Sequence, residues 1–165
     1  MSRPDPARLD PAHYPVSEVI GTRYQDLDTN RHLNNVAFAA LFESARVNIS
    51  RQTRPPGERP RGERSVVAQV TIDYLGEGSF PEPVEVHSAV GRIGGSSFTI
   101  VQLMMQAGRP IATCATVVAV RRDDAASPLS PEVCAALSAV AFRASGAAEA
   151  PTVPAAAGGG AGSDG

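Results

Sequence analysis

The chain lacks several residue types, and each absence removes a class of function. None of its 165 residues is Trp, and its fifteen basic residues are all Arg, so it contains no Lys. Without Lys there is neither a Schiff base nor the Lys of a phosphate-binding P-loop. The two cysteines, Cys114 and Cys134, make no disulfide framework and no CxxC pair. We therefore expect two reduced thiols and a cytoplasmic setting.

Long apolar runs and a strong charge of either sign are missing as well. No segment approaches the ~20 apolar residues that span a bilayer, and the first residues lack the apolar core of a signal peptide. The net charge is −2, which provides no basic field for nucleic acid or a membrane surface. No spacing of His and Cys is typical of a metal site. We expect no metal, no nucleic-acid partner and no membrane partner.

The sequence does contain one long amphipathic helix, predicted over residues 34–52. Its apolar residues recur at helical spacing and form a single stripe, which consists of Phe38, Leu41, Phe42, Ala45 and Ile49. Asn34 is placed to cap the first turn, because its amide oxygen can accept from free N–H groups. Strands are predicted from β-branched, aromatic or alternating residues at 16–25, 66–74, 83–93, 96–107 and 109–121. A short amphipathic helix is predicted over 131–143.

One strand, one long helix and four successive strands predict an α+β fold. The broad apolar face of the helix needs a cover, and an antiparallel sheet of about five strands wrapped around this central helix provides it. That arrangement is the hotdog fold. We expect a single hotdog domain over residues 16–144, preceded by an extended, proline-rich arm at 1–15. Residues 145–165 are rich in Ala, Gly, Pro and Ser and are predicted to be a disordered tail.

Polar side chains crowd into the join between the first strand and the helix. Taken alone, Asp26-x-Asp28-x-Asn30 is typical of a solvated turn. It also begins like a calcium loop, but Arg31 and Ala37 stand where such a loop needs Gly and Glu. Loops at the ends of elements often carry catalytic groups, and a helix N-terminus offers N–H donors for an oxyanion. We expect the backbone N–H groups of Asn34 and Asn35 to be these donors.

The order Arg-x-x-Asp-x-Asp-x-x-x-His-x-Asn-Asn-x-x-Phe, beginning at Arg23, resembles the 4-hydroxybenzoyl-CoA thioesterase-like branch of the hotdog superfamily. Residues 26–36 look especially like acyl-acyl carrier protein thioesterases, and the similarity extends over roughly residues 16–122. The resemblance implies that Asp28 is the essential carboxylate. It further implies catalytic roles for Asn30, His32 and, on the strand after the helix, Glu77. Where relatives carry Cys beside that Glu, this chain has Gly78.

The function implied by the resemblance is hydrolysis of acyl-CoA or acyl-carrier-protein thioesters. Asp28 would act as nucleophile or general base; no Gly-x-Ser-x-Gly elbow supports a serine triad. No cofactor is expected apart from the coenzyme A of the substrate. A turn similar to the coenzyme A-binding turn of this branch supplies Arg92, Gly94, Gly95, Ser96 and Ser97. Phosphates meet either this turn or the arginine-rich loop 51–64 of a neighbouring subunit, since the resemblance implies a homodimer or dimer-based tetramer.

Two other functions remain open. Hotdog domains also serve as non-catalytic modules that bind acyl ligands, and such a module would keep the pocket without needing the acid. The hydratase type of hotdog enzyme resembles Asp-x-Asn-Pro-x-His, whereas this chain has no Pro after Asn30 and places His32 one residue earlier. Hydration is therefore the least favoured of the three.

Overall fold

The computed structural model describes residues 5–55 and 60–143. Within them one curved antiparallel sheet surrounds a long helix, α1 (Asn35–Gln52). The strands are β1 (Val16–Ile20), β2 (Glu63–Tyr74), β3 (Val84–Ile93), β4 (Ser97–Gln106), β5 (Arg109–Arg122) and the two-residue β6 (Ala125–Ala126), followed by helix α2 (Pro131–Ala139). The predicted hotdog arrangement is confirmed, with β6 as an addition that the sequence did not reveal.

The strands lie in the order β1-β3-β4-β5-β2, and every neighbouring pair is antiparallel. β4 and β5 form the centre of the sheet, and they are joined by a two-residue turn at Ala107 and Gly108. Both turn residues have positive φ, 50° and 72°, as two-residue hairpins require.

Helix α1 packs its predicted stripe against the concave face of the sheet. Phe38, Leu41, Phe42, Ala45 and Ile49 are all buried, together with Ala37. Asn34 caps the helix as predicted, because its side-chain oxygen accepts a 2.8 Å hydrogen bond from the Ala37 N–H. The helix therefore starts at a fixed residue, directly after the polar segment.

Strand β2 forms one edge of the sheet, opposite β1, and it exposes several large apolar side chains. Val67, Val70 and Tyr74 are 48%, 46% and 48% exposed, although an apolar strand of this kind normally lies in a core. Its outer edge meets no other strand among the residues that the structure describes. A long, apolar, unpaired edge is a template for pairing with another chain.

Three predicted boundaries are corrected. The first strand ends at Ile20, because residues 24–26 turn into a short 3₁₀ helix. The last helix ends at Ala139 and not at residue 143. The N-terminal arm is not extended between residues 6 and 13. It forms two 3₁₀ turns, each opened by an Asp that caps it and a Pro that follows.

The predicted tail at 145–165 lies outside the described residues. Among the described helices, none has the length and apolar character needed to cross a membrane.

Candidate active site

The residues predicted to react lie in a tight loop that runs from Asp26 to Asn34. The Asp28 N–H donates to the His32 carbonyl at 2.8 Å, and the Arg31 N–H donates back to the Asp28 carbonyl at 3.1 Å. Arg31 adopts a left-handed backbone with φ of 64° to complete the turn. The loop is thus closed by its own backbone, and Asp28 occupies a defined position within it.

The Asp28 side chain is part of this closure. Its Oδ1 atom accepts hydrogen bonds from the N–H groups of Asn30, at 2.8 Å, and His32, at 3.0 Å. The residue is exposed, so the carboxylate faces solvent at the surface of the loop. Oδ2 accepts no hydrogen bond from the described residues, which leaves one oxygen for chemistry.

The loop rests on the segment that follows β2. The Leu33 N–H donates to the Gly78 carbonyl at 2.8 Å, and a Cβ atom at position 78 would lie 2.6 Å from the Leu33 Cδ1 atom. That distance is shorter than real Cβ contacts allow. The loop can lie against this segment because residue 78 has no side chain.

This contact brings together two residues that are distant in the sequence. The Nε2 atom of His32 lies 3.3 Å from the Oε2 atom of Glu77, with the two side chains 40% and 76% exposed. A carboxylate beside an imidazole can accept a hydrogen bond from the ring and so fix its orientation. The structure therefore groups Asp28, Asn30, His32 and Glu77 in one place, at the N-terminal end of α1.

The two predicted oxyanion donors are not equivalent. The Asn34 N–H donates to the Asp26 carbonyl at 2.8 Å, so it is used within the fold and is not available as predicted. The Asn35 N–H begins the helix and meets no acceptor among the described residues. Asn35 thus remains a candidate, together with Val36, the next residue of the first turn.

Asp26, which the sequence pattern indicates to be a turn residue, is a buried charge in the structure. Asp26 is only 4% exposed, and its Oδ1 atom lies 2.9 Å from the Nη2 atom of Arg23. Burial alone would raise the pKa of the Asp26 carboxyl. The hydrogen bonds from the side chain and backbone of Arg23, together with its charge, lower this pKa below its ordinary value. An Arg three residues before an Asp was the available sequence signal.

The family model of the thioesterase-like superfamily matches residues 22–137, which include the whole loop and all strands from β2 to β6. The chain belongs to this superfamily. No curated protein matches the chain significantly.

Solved structures agree with this assignment to the thioesterase-like superfamily. A thioesterase from Thermus thermophilus, complexed with coenzyme A and Zn, is 25% identical with a TM-score of 0.70, covering 80% of this chain and 98% of that one. Two others support the fold alone. A predicted thioesterase from Bacillus stearothermophilus is 24% identical, with a TM-score of 0.70 and coverage of 78% and 98%. A thioesterase-superfamily protein from Jannaschia sp. CCS1 is 21% identical, with a TM-score of 0.71 and coverage of 81% and 88%.

Within one chain, the residues predicted to bind the thiol carrier lie far from Asp28. Ile20 pairs with Val84 at the start of β3, whereas the turn from Gly94 to Ser97 follows the other end of that strand. The 10 residues of β3 separate the two ends by about 30 Å. The turn itself is well bonded, with the Gly94 N–H donating to the Ser97 carbonyl at 2.7 Å. Arg92 and Gly95 are exposed beside it.

The loop shows no sign of a metal centre. Across residues 5–55 and 60–143, no three or more side chains of His, Cys, Asp or Glu are grouped so that they could hold an ion. The arrangement at Asp28 offers a carboxylate, an imidazole–carboxylate pair and helix N–H groups. These groups suit acyl transfer to water, and membership of the thioesterase-like superfamily supports thioester hydrolysis in general.

Proposed function

We propose that this protein hydrolyses acyl thioesters of coenzyme A or of acyl carrier protein, with Asp28 as the essential carboxylate. One observation carries the proposal: the loop presents the Asp28 carboxylate beside the His32–Glu77 pair and the first turn of α1. The three groups correspond to the needs of the reaction. These needs are an attacking or activating carboxylate, a proton donor for the departing thiol, and N–H groups for the oxygen that becomes negative.

Two routes use the same residues. In the first, an oxygen of Asp28 attacks the carbonyl carbon, the C–S bond breaks, and water hydrolyses the resulting mixed anhydride. In the second, Asp28 takes a proton from water, and that water attacks the carbonyl carbon directly. Both routes yield the free acid and the thiol.

The neighbouring groups have distinct roles in either route. His32, whose Nε2 atom lies 3.3 Å from the Oε2 atom of Glu77, supplies a proton to the leaving sulfur. The side-chain amide of Asn30 hydrogen-bonds the attacking water or the carbonyl oxygen. The Asn35 N–H stabilises the oxyanion, and a single donor of this kind is worth about 3–4 kcal/mol of barrier.

Coenzyme A is the thiol carrier that we favour. The Thermus thermophilus relative was solved with coenzyme A, and this chain carries Arg92 and a Gly/Ser turn at the position matched by resemblance. Backbone N–H groups and a guanidinium are suited to phosphate oxygens. Acyl carrier protein remains the alternative, because the turn has a single arginine.

We further propose that the working form contains two copies, as a dimer or a dimer-based tetramer. The exposed Val67, Val70 and Tyr74 lie on the edge strand β2, which meets no partner strand in the described residues. A second copy paired antiparallel along β2 would cover them. It would also bring the turn after β3 of one copy towards the Asp28 end of the other, because antiparallel strands run in opposite directions.

Thiol release from a panel of thioesters tests the reaction and the carrier together. The panel contains short, medium and long acyl groups and benzoyl and phenylacetyl groups, each on coenzyme A and on acyl carrier protein. The expected result is turnover of at least one coenzyme A ester, faster than the same acyl group on the carrier protein. Saturable binding of acyl-CoA without release of thiol would instead identify a binding module.

Sedimentation tests whether two copies of the chain associate. A dimer or tetramer is expected at micromolar concentration, and Val70→Arg should give a folded monomer with reduced turnover, because the charge would be buried in the paired edge. A monomeric wild-type protein with full turnover would contradict this part of the proposal.

A further inference from the structure

The Arg23–Asp26 pair is built more tightly than a turn requires. The Asp26 carboxylate accepts from the Arg23 N–H at 2.8 Å, from Nε at 3.2 and 3.3 Å, and from Nη2 at 2.9 Å. The Asp26 side chain is buried, while the Arg23 side chain is 62% exposed. A surface ion pair is worth little, whereas a buried carboxylate without its partner is costly. The chain therefore keeps this pair together in the folded state.

The backbone of the same residue holds the helix. The Asp26 carbonyl accepts from the Asn34 N–H at 2.8 Å, and the Asn34 side chain in turn caps α1 through the Ala37 N–H. The contacts run in sequence from Arg23 through Asp26 and Asn34 to the first turn of the helix. Asp28 lies two residues after Asp26, inside the loop that this hydrogen bond closes.

Bonds between Asp28 and His32 fix the Asp28 side chain within the loop, and the bond from the Asn34 N–H to the Asp26 carbonyl fixes the loop relative to the start of α1. The other anchor of the loop, from the Leu33 N–H to the Gly78 carbonyl, joins the loop to the segment after β2 and not to the helix. If Asp26 moved, the carboxylate and the helix N–H groups would separate even with that anchor intact. A misplacement of about 1 Å in such a group costs on the order of 100-fold in rate.

We propose that the Arg23–Asp26 pair is the positioning device that holds the Asp28 carboxylate in register with the first turn of α1, so that it acts on turnover and not on substrate binding. This inference rests on the proposed function, and it names a residue pair that touches neither substrate nor reacting atoms. Asp26 is a positioning residue, and its effect is transmitted by the Asn34 N–H.

The chain offers a matched control at the far end of the sheet. Glu63 is also a mostly buried carboxylate, 17% exposed, paired at 3.1 Å with an Arg122 that is 47% exposed. It begins β2, at the opposite end of that strand from the segment that contacts the loop. Glu63→Gln disturbs an ion pair of the same kind without touching the Asp28 loop of the same chain.

The experiment compares wild type, Asp26→Asn, Arg23→Lys and Glu63→Gln by two readouts. The first is amide hydrogen exchange at Asn30, His32 and Asn34, whose N–H groups close the loop. The second is kcat and KM on the best thioester substrate. Asp26→Asn is expected to speed exchange at these amides about tenfold or more and to lower kcat by about 10- to 100-fold, with KM within about threefold. Arg23→Lys keeps the positive charge but loses the bidentate contact with Asp26. Its exchange rates and kcat should therefore lie between those of wild type and those of Asp26→Asn.

Several outcomes would overturn the inference. Unchanged exchange at the three amides in Asp26→Asn would show that the pair does not hold the loop. Faster exchange with wild-type kcat would show that the loop needs no such positioning. An equal loss of kcat in Glu63→Gln would point to a general effect of stability. If wild type releases thiol from no ester, the proposed function fails by itself, and the exchange data still decide whether the pair fixes the loop.

Discussion

The two ends of the sheet hold their polar residues in different ways. At the Asp28 end, backbone and side-chain hydrogen bonds join one loop to the start of α1 and to Gly78. At the opposite end, arginines at the ends of the strands form ion pairs with acids, as Arg122 does with Glu63. That end also has a cavity of about 370 Å³ between α1, β5 and α2. Hydrogen bonds at the first end fix the positions of its polar residues, whereas the second end carries ion pairs and a cavity.

This difference shows what a local motif specifies. The residues from Asp26 to Asn34 form their loop with their own hydrogen bonds, so the motif predicts the arrangement of Asp28, Asn30 and His32. The turn after β3 is equally well formed, but nothing local specifies what it faces. Its predicted role depends on a second copy, which would bring the two ends together.

The largest effect is expected from removing the carboxylate at the first end. Asp28→Asn should lower kcat by about 1,000-fold or more, because the amide keeps the loop hydrogen bonds but can neither attack nor accept a proton. Thiol release measures this, and Asp10→Asn, an exposed Asp→Asn change in the N-terminal arm, is the control. A drop of less than about tenfold in Asp28→Asn would refute the assignment.

Alanine substitutions at two glycines compare how tightly the two ends of the sheet are packed. Gly78→Ala should destabilise the fold by about 1–3 kcal/mol and lower turnover, because the new methyl group would push Leu33 and the loop away. Gly95→Ala should leave the melting temperature unchanged, since no atom lies within 4 Å of its would-be Cβ. Thermal denaturation checks both. Equal stability of the two variants would show that the loop has room to shift.

The His32–Glu77 pair should matter less than Asp28 for turnover. His32→Gln is expected to lower kcat by about 10- to 100-fold, and Glu77→Gln by less, because the imidazole still works without its neighbour. Thiol release by the two variants measures both losses. Wild-type kcat in Glu77→Gln would mean that the contact with His32 is incidental.

Arg92→Gln should produce the smallest effect, and only on binding. KM for acyl-CoA is expected to rise a few-fold at low salt, with kcat unchanged, because one exposed guanidinium contributes a screened interaction with phosphate. The same acyl group on pantetheine, which lacks the nucleotide, is the control and should show no difference. A larger loss on pantetheine than on coenzyme A would remove the turn from the carrier site.

The helix and the central strands could be predicted because their signals are local. The apolar stripe from Phe38 to Ile49 follows from helical spacing, and the Asn34 cap follows from an amide side chain at the start of that spacing. Strand β1 was predicted too long, because the β-branched and aromatic composition continues past Ile20. There the chain turns so that Asp26 is buried against Arg23. A contact of this kind produces no periodic pattern in the sequence.

The motif predicts the candidate residues within the loop, but not their contacts with parts of the chain that are distant in the sequence. The motif indicates Asp28 and His32, yet the 3.3 Å contact with Glu77 depends on how the end of β2 meets the loop. Gly78 looked like the loss of a Cys, whereas in the structure its missing side chain admits Leu33. The use of the Asn34 N–H by Asp26 was likewise invisible, since it depends on the loop closing on itself.

The identity of the products tests the central claim most directly. Wild-type protein is incubated with its best acyl-CoA in ¹⁸O-labelled water under multiple turnover, and the products are analysed by mass spectrometry. Hydrolysis predicts free acid with one heavy oxygen and an equal amount of free coenzyme A. An acyl-CoA that is recovered intact, or recovered with water added across its acyl chain and the thioester preserved, would contradict the assignment of this protein as a thioester hydrolase.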